Sequence, residues 1–86
     1  MHINLIDAQA KFATHLKDNG KAHATVIAYN KDIEQLVDFL SKRSKTLLAE
    51  VLVADIEDFK ELLKKQRYSS KSISRKVNSI KAFFRF

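Results

Sequence analysis

A single glycine, Gly20, and no proline stand in this 86-residue chain, so almost nothing interrupts the apolar pattern that has to organise it. That pattern keeps the period of a helix from end to end. Leu5, Ala8, Phe12 and Leu16 fall on one stripe, predicting a helix over residues 7–18 with Asp7 as N-cap and Gly20 as its left-handed stop. His15 flanks the stripe as a half-buried side chain. Val26, Tyr29, Ile33, Leu36, Val37 and Leu40 form a wider stripe, predicting a long central helix over residues 24–41. Its other side begins with Ala24, Ile27, Ala28 and Lys31, mostly small or short groups that would let the backbone approach another surface. Ile27 fits that surface and packing on the first helix equally well.

Residues 42–52 read as a connector pinned across the core by Leu47, Leu48, Val51 and Leu52. A third helix is predicted over residues 54–66, with Ile56, Phe59, Leu62 and Leu63 inward. Asp55, Glu57 and Asp58 suit its positive end, and Lys64, Lys65 and Arg67 its negative end. Tyr68-Ser69-Ser70 breaks the pattern and caps a fourth helix over residues 71–85. The inner stripe of that helix is Ile73, Val77, Ile80 and Phe84, with Phe83 at the edge. The expected fold is all-α: four helices in one domain over residues 1–86, burying about 60–65% of the unfolded surface.

Composition removes most enzyme chemistry. There is no cysteine for a disulfide, a zinc site or a nucleophile, and one glycine cannot build a phosphate-cradling loop. His2, His15 and His23 are too far apart for a helical ligand pair, and neither metalloprotease nor calcium-loop spacing occurs. Asp55 with Asp58 and Glu34 with Asp38 read as helix-surface charges. No catalysis, cofactor or metal is expected. No apolar run approaches the ~18 residues of a membrane span, and the Met-His-Ile-Asn start lacks the features of a signal peptide. A cytosolic domain is expected.

The net charge of +6 hides an asymmetry. Residues 1–40 hold four bases and five acids, whereas residues 41–86 hold twelve bases and five acids. From Leu62 onward eight bases meet no acid at all. On a helical wheel Lys71, Arg75, Asn78 and Arg85 lie within roughly 40–60° of the pole opposite the fourth helix's apolar stripe, with Ser72, Ser74 and Ser79 on the flanks. Clustered bases suit a polyanion, because they displace counterions from phosphates. Arg and Asn can in addition read guanine and adenine edges bidentately. A solvated, solubilising face or an anionic membrane surface also fits the charge alone; short, separately capped helices suit the membrane less.

Order along the chain adds to residue type. Thr25-Val-Ile-Ala-Tyr29-Asn-Lys-Asp32-Ile33, followed by Leu36 and Phe39-Leu40, resembles a T-x-x-x-Y-x-x-D-L-x-x-F-x-x-F-L stretch of the tyrosine recombinases, the phage-integrase and Xer-type enzymes. Val53-Ala-Asp55-Ile56 with Phe59 and Leu62 follows in order. Ser70-x-Ser72-Ile73-x-Arg75-x-Val77-x-Ser79-Ile80-x-x-Phe83-Phe84 is then similar to the family's S-x-x-T-I-x-R-x-L-S-A-L-R-x-F-F helix. The resemblance spans about residues 8–86 and is to the N-terminal core-binding, or SAM-like, domain. Two departures stand out: Val53 replaces a frequent Thr or Ser cap, and Asn78 replaces a small residue.

The resemblance implies a compact four-helix SAM-like orthogonal bundle that grips one side of duplex DNA while a separate catalytic domain closes over the other. It would put the second and fourth helices against the major groove. Lys21, His23, Thr25 and Lys31 would then lie near the backbone; Ser72, Ser74, Arg75 and Asn78 nearest the groove, with Lys71 and Lys76 beside them. The family's catalytic set belongs to the other domain, so Tyr29 and Tyr68 are not nucleophiles. The chain ends where the family's linker begins, and so reads as a fragment of a longer recombinase. Expected partners are double-stranded DNA, the protein's own catalytic domain and other recombinase protomers; the isolated domain is expected to be monomeric, and nucleoid-associated when bound. The alternative is a helical protein-interaction module. A helix-turn-helix regulator is disfavoured, since the short glycine-containing turn is missing.

Overall fold

The computed structural model describes residues 3–86, so His2 lies outside the described residues. Four helices follow one another: α1 (Leu5–Asp18), α2 (His23–Lys42), α3 (Val53–Lys65) and α4 (Ser70–Arg85). A single 3-10 turn, Leu48–Glu50, interrupts the connector between α2 and α3. Helix α1 starts at Leu5, two residues earlier than expected, because Asn4 rather than Asp7 is the cap: its Oδ1 accepts the Ile6 N–H at 2.8 Å. The connector is tied to that start. Asn4 pairs with Leu47 in an isolated antiparallel bridge, flanked by Leu5 N–H to Thr46 O at 2.9 Å and Leu48 N–H to Ile3 O at 2.8 Å.

Three helices end in the same way. In each, the residue after the C-cap takes a left-handed conformation, and the next N–H reaches back five residues: Lys21 to Leu16 O, Lys45 to Leu40 O, and Tyr68 to Leu63 O. These are Schellman caps. Gly20 (φ 75°) occupies the first at no steric cost, whereas Ser44 (φ 62°) and Arg67 (φ 65°) hold the other two as strained L-residues. Helix starts vary more. Ser69 Oγ caps α4 by accepting the Ser72 N–H at 3.1 Å, the Asp55 carboxylate accepts the Leu52 N–H at 2.8 Å at the start of α3, and α2 has no side-chain cap.

Helix α2 is the central element, packed most extensively on α1 and α4. Ile33, Leu36 and Leu40 are fully buried against Phe12, Phe59 and Leu63, with Leu5, Leu16, Ile80 and Phe83 completing the core. Phe12 stacks on Tyr29 at 6.2 Å and meets the edge of Phe83 at 5.5 Å. The connector contributes Leu48 and Val51; Leu52, expected to pin it, is exposed. Ile27 is also exposed, and His15 is exposed rather than half-buried.

The inner face of α4 differs from its apolar stripe. Phe83 is 3% exposed and Phe84 40%, the reverse of the order expected. Two polar residues, Lys76 and Ser79, are buried against α2. Including them rotates the buried sector of the helix towards α2, which carries Phe83 in and Phe84 out.

Candidate nucleic-acid interface

The outward side of α4 follows from that rotation. Lys71, Ser74, Arg75, Asn78, Lys81 and Arg85 are all exposed, on a helix that holds no acid. Asn78 stands one turn beyond Arg75 and Ser74, so their side chains share a face. Ser72 is half-buried, and its N–H and hydroxyl both meet Ser69 Oγ within the helix cap. It is therefore a weaker candidate for contact than Ser74.

Helix α2 runs antiparallel to α4, since Asp32 meets Lys76 and Ser79 while Gln35 meets Tyr68. Lys21 just before it and His23 and Lys31 along its first half are exposed, with Thr25 half-buried among them. No acid lies between His23 and Lys31. Beyond that point Glu34 and Asp38 are exposed and end the basic surface. Helix α4 and the stretch from Lys21 to Lys31 thus each present exposed bases with no acid among them.

Five of the other bases are paired with acids. Lys42, Lys60 and Lys64 pair with acids about one turn away on their own helices, at 3.4, 3.5 and 3.1 Å. Arg43 reaches Asp58 at 2.8 Å and Asp55 at 3.5 Å, and Lys45 reaches Asp55 at 3.2 Å. The Leu52 N–H, with help from Lys45 and Arg43 and against the effect of burial, holds the Asp55 carboxyl below its ordinary range. This cluster fastens the connector to the start of α3.

Lys76 is the one predicted contact residue that the structure removes from this face. Its side chain is 9% exposed, and its Nζ donates to Asp32 Oδ1 at 3.0 Å while lying 5.0 Å from the Tyr68 ring centre. Its position on the wheel points inward, so the charge faces α2 and not solvent. Ser79 Oγ donates to Asp32 Oδ2 at 2.8 Å, and Arg75 Nη2 lies 3.5 Å from Oδ1. Among the described residues no buried side-chain polar atom is without a hydrogen-bond partner. Sequence reasoning missed this seam, although two polar residues on the inward side of an amphipathic helix were a usable signal. It also passed over Lys81, an exposed base on the same helix.

A hollow of about 270 Å³ is lined by Ile3, Ala8, Lys11, Leu48 and the Phe83, Phe84 and Phe86 rings. Tyr29 packs on Phe12, and the Tyr68 hydroxyl accepts from Gln35 at 3.3 Å, so packing and the seam account for both tyrosines. Among the described residues no group of three or more acids and histidines could hold a metal ion. No helix among them is long and apolar enough to cross a membrane.

The fold is a small all-α bundle, and comparison with known proteins gives its family. Residues 10–86 match the family described as phage integrase, N-terminal SAM-like domain, and the chain belongs to that family. It is 36% identical over 81 residues to the tyrosine recombinase XerC of Roseiflexus sp. (strain RS-1), covering 93% of this chain and 26% of that protein. It is also 34% identical over 77 residues to the tyrosine recombinase XerD of Bifidobacterium longum (strain NCC 2705), covering 88% of this chain and 25% of that protein. The chain thus spans about a quarter of the length of these relatives. No solved structure matches it.

Proposed function

We propose that the basic face of α4 and the first half of α2 docks on duplex DNA at a recombination site, as the gripping domain of a tyrosine recombinase. Transesterification would be the task of a further domain, and other recombinase protomers would be partners on the same DNA. The observation that carries the reading is α4 itself: Lys71, Arg75, Lys81 and Arg85 are exposed without a single acid on the helix. A helix fits the major groove, where Arg75 is suited to guanine and Asn78 to adenine. Lys71, Lys81, Arg85, Lys21 and Lys31 are suited to phosphates, which orient a protein on the duplex without reading sequence. The uncapped, acid-free start of α2 adds the partial positive charge of its first N–H groups.

About six phosphate contacts would give a slope near −5 in log affinity against log salt, and an affinity for arbitrary duplex of about 10⁻⁴–10⁻⁶ M. Amide chemical shifts recorded during duplex titration at two salt concentrations test this. Shifts confined to residues 21–31 and 70–85, fading as salt rises, are expected. Salt-insensitive shifts around Phe84 and Phe86 would point to a protein partner instead.

A further inference from the structure

We infer that Asp32, buried behind the α4 face, positions Arg75 for the duplex, an inference that rests on the docking face proposed above. Asp32 is 2% exposed, yet the Arg75 side chain that touches it is 60% exposed. The pair therefore connects the sealed interior of the bundle to its basic surface.

The arrangement at the carboxylate decides what this contact does. Were Arg75 the only base at Asp32, the two charges would cancel and the guanidinium would have little left for a phosphate or a base edge. Lys76 prevents this. It takes the closer place, 3.0 Å against 3.5 Å for Arg75, and balances the carboxylate from inside. Arg75 is held by one terminal nitrogen, which leaves the other terminal nitrogen and Nε as outward donors.

Ser79 reinforces the hold, because its hydroxyl lies 2.8 Å from Asp32 Oδ2 and 3.3 Å from the Arg75 carbonyl. One carboxylate thus fixes both the guanidinium and the backbone that carries it. On the far side of Lys76, the Tyr68 ring and its bond to Gln35 lock α4 to α2. A long side chain fixed before binding has less freedom to lose on binding, and this is how a buried acid raises the affinity of an exposed base.

The test replaces the buried charges without changing the net charge of +6: Asp32→Asn together with Lys76→Gln. Duplex affinity is measured for the wild type, Arg75→Ala, the paired variant and the paired variant with Arg75→Ala. In the free proteins, ¹⁵N relaxation at Arg75 Nε is compared with that at Arg85, which has no side-chain partner among the described residues. Arg75→Ala is expected to weaken wild-type binding at least about fivefold, the low end for a base-reading arginine, and the paired variant by less than about twofold. Arg75 Nε should be more ordered than Arg85 Nε in the wild type and equally loose in the paired variant. An equal loss in both backgrounds, or an Arg75 as loose as Arg85 in the wild type, overturns the inference while the docking face stands. Absence of duplex binding by the wild type overturns both. If the paired variant loses its helical signal, the wild-type relaxation comparison decides alone: an ordered Arg75 supports the inference and a loose one overturns it.

Discussion

Removing the Asp32 carboxylate probes the α2–α4 seam most simply, and the structure sets the size of the effect. Asp32→Ala deletes the partner of Lys76 at 3.0 Å, of Ser79 at 2.8 Å and of Arg75 at 3.5 Å. Ser79 keeps the Arg75 carbonyl at 3.3 Å, and Arg75 turns to solvent, so neither is left orphaned. Lys76 is different: it is 9% exposed, and only the Tyr68 ring at 5.0 Å would remain near its charge. Breaking a buried pair in this way costs ~3–5 kcal/mol, reduced towards the low end if the lysine stem swings its head to water. A domain of this size has about 4–13 kcal/mol in total, so a quarter or more of it would go. Urea denaturation followed by circular dichroism should show a lower midpoint with an unchanged slope. Asp32→Leu combined with Lys76→Met should return to within about 1 kcal/mol of the wild type, since an apolar pair needs no desolvated charge. A loss below about 1 kcal/mol for Asp32→Ala, or no recovery in the double variant, would refute the claim that Lys76 is a trapped charge.

Other consequences are equally direct. Ser44→Gly relieves a left-handed serine at the C-terminal cap of α2 and should stabilise by about 1 kcal/mol; Gly20→Ala, with no atom within 4 Å of the added methyl, should cost a similar amount through backbone strain alone. Thermal melts of the two variants check both. Phe83→Ala should cost ~3–5 kcal/mol, against at most about 1 kcal/mol for Phe84→Ala, which equilibrium unfolding would separate. The Asp55 carboxyl sits below its ordinary value of 3.8 in the fold, so its contribution is present above that pH and lost as pH falls through the lower folded value. Asp55→Asn should flatten stability against pH in that acid range, and an unchanged pH profile would count against the cause assigned here.

The helices were legible because their apolar spacing was dense and unbroken, and family-like order extended over most of the chain. Their ends were less so. Two of the three left-handed caps fall on Ser44 and Arg67, where no glycine announces them, and α1 starts at Leu5, capped by Asn4, which a bridge to Leu47 holds in place. The second fact depends on a long-range contact, and the first on left-handed L-residues that composition does not mark. The outward face of α4 was readable as Lys71, Arg75, Asn78 and Arg85 because it needs only helical geometry. Phe84 was misplaced because the wheel counted only apolar residues as inward, and Lys76 because the family resemblance set it beside the groove; here a lysine and a serine face inward because Asp32 waits for them on α2.

The docking face is the central claim, and one titration series bears on it most directly. Fluorescence anisotropy of a labelled duplex, across a range of salt, should be compared for the wild type, Lys71→Ala and Arg75→Ala. The account predicts a steep salt slope near −5 for the wild type, a slope about one unit shallower for Lys71→Ala, and weaker binding for both variants with their folding intact. Binding that ignores salt, or affinity unchanged by both substitutions, would contradict it.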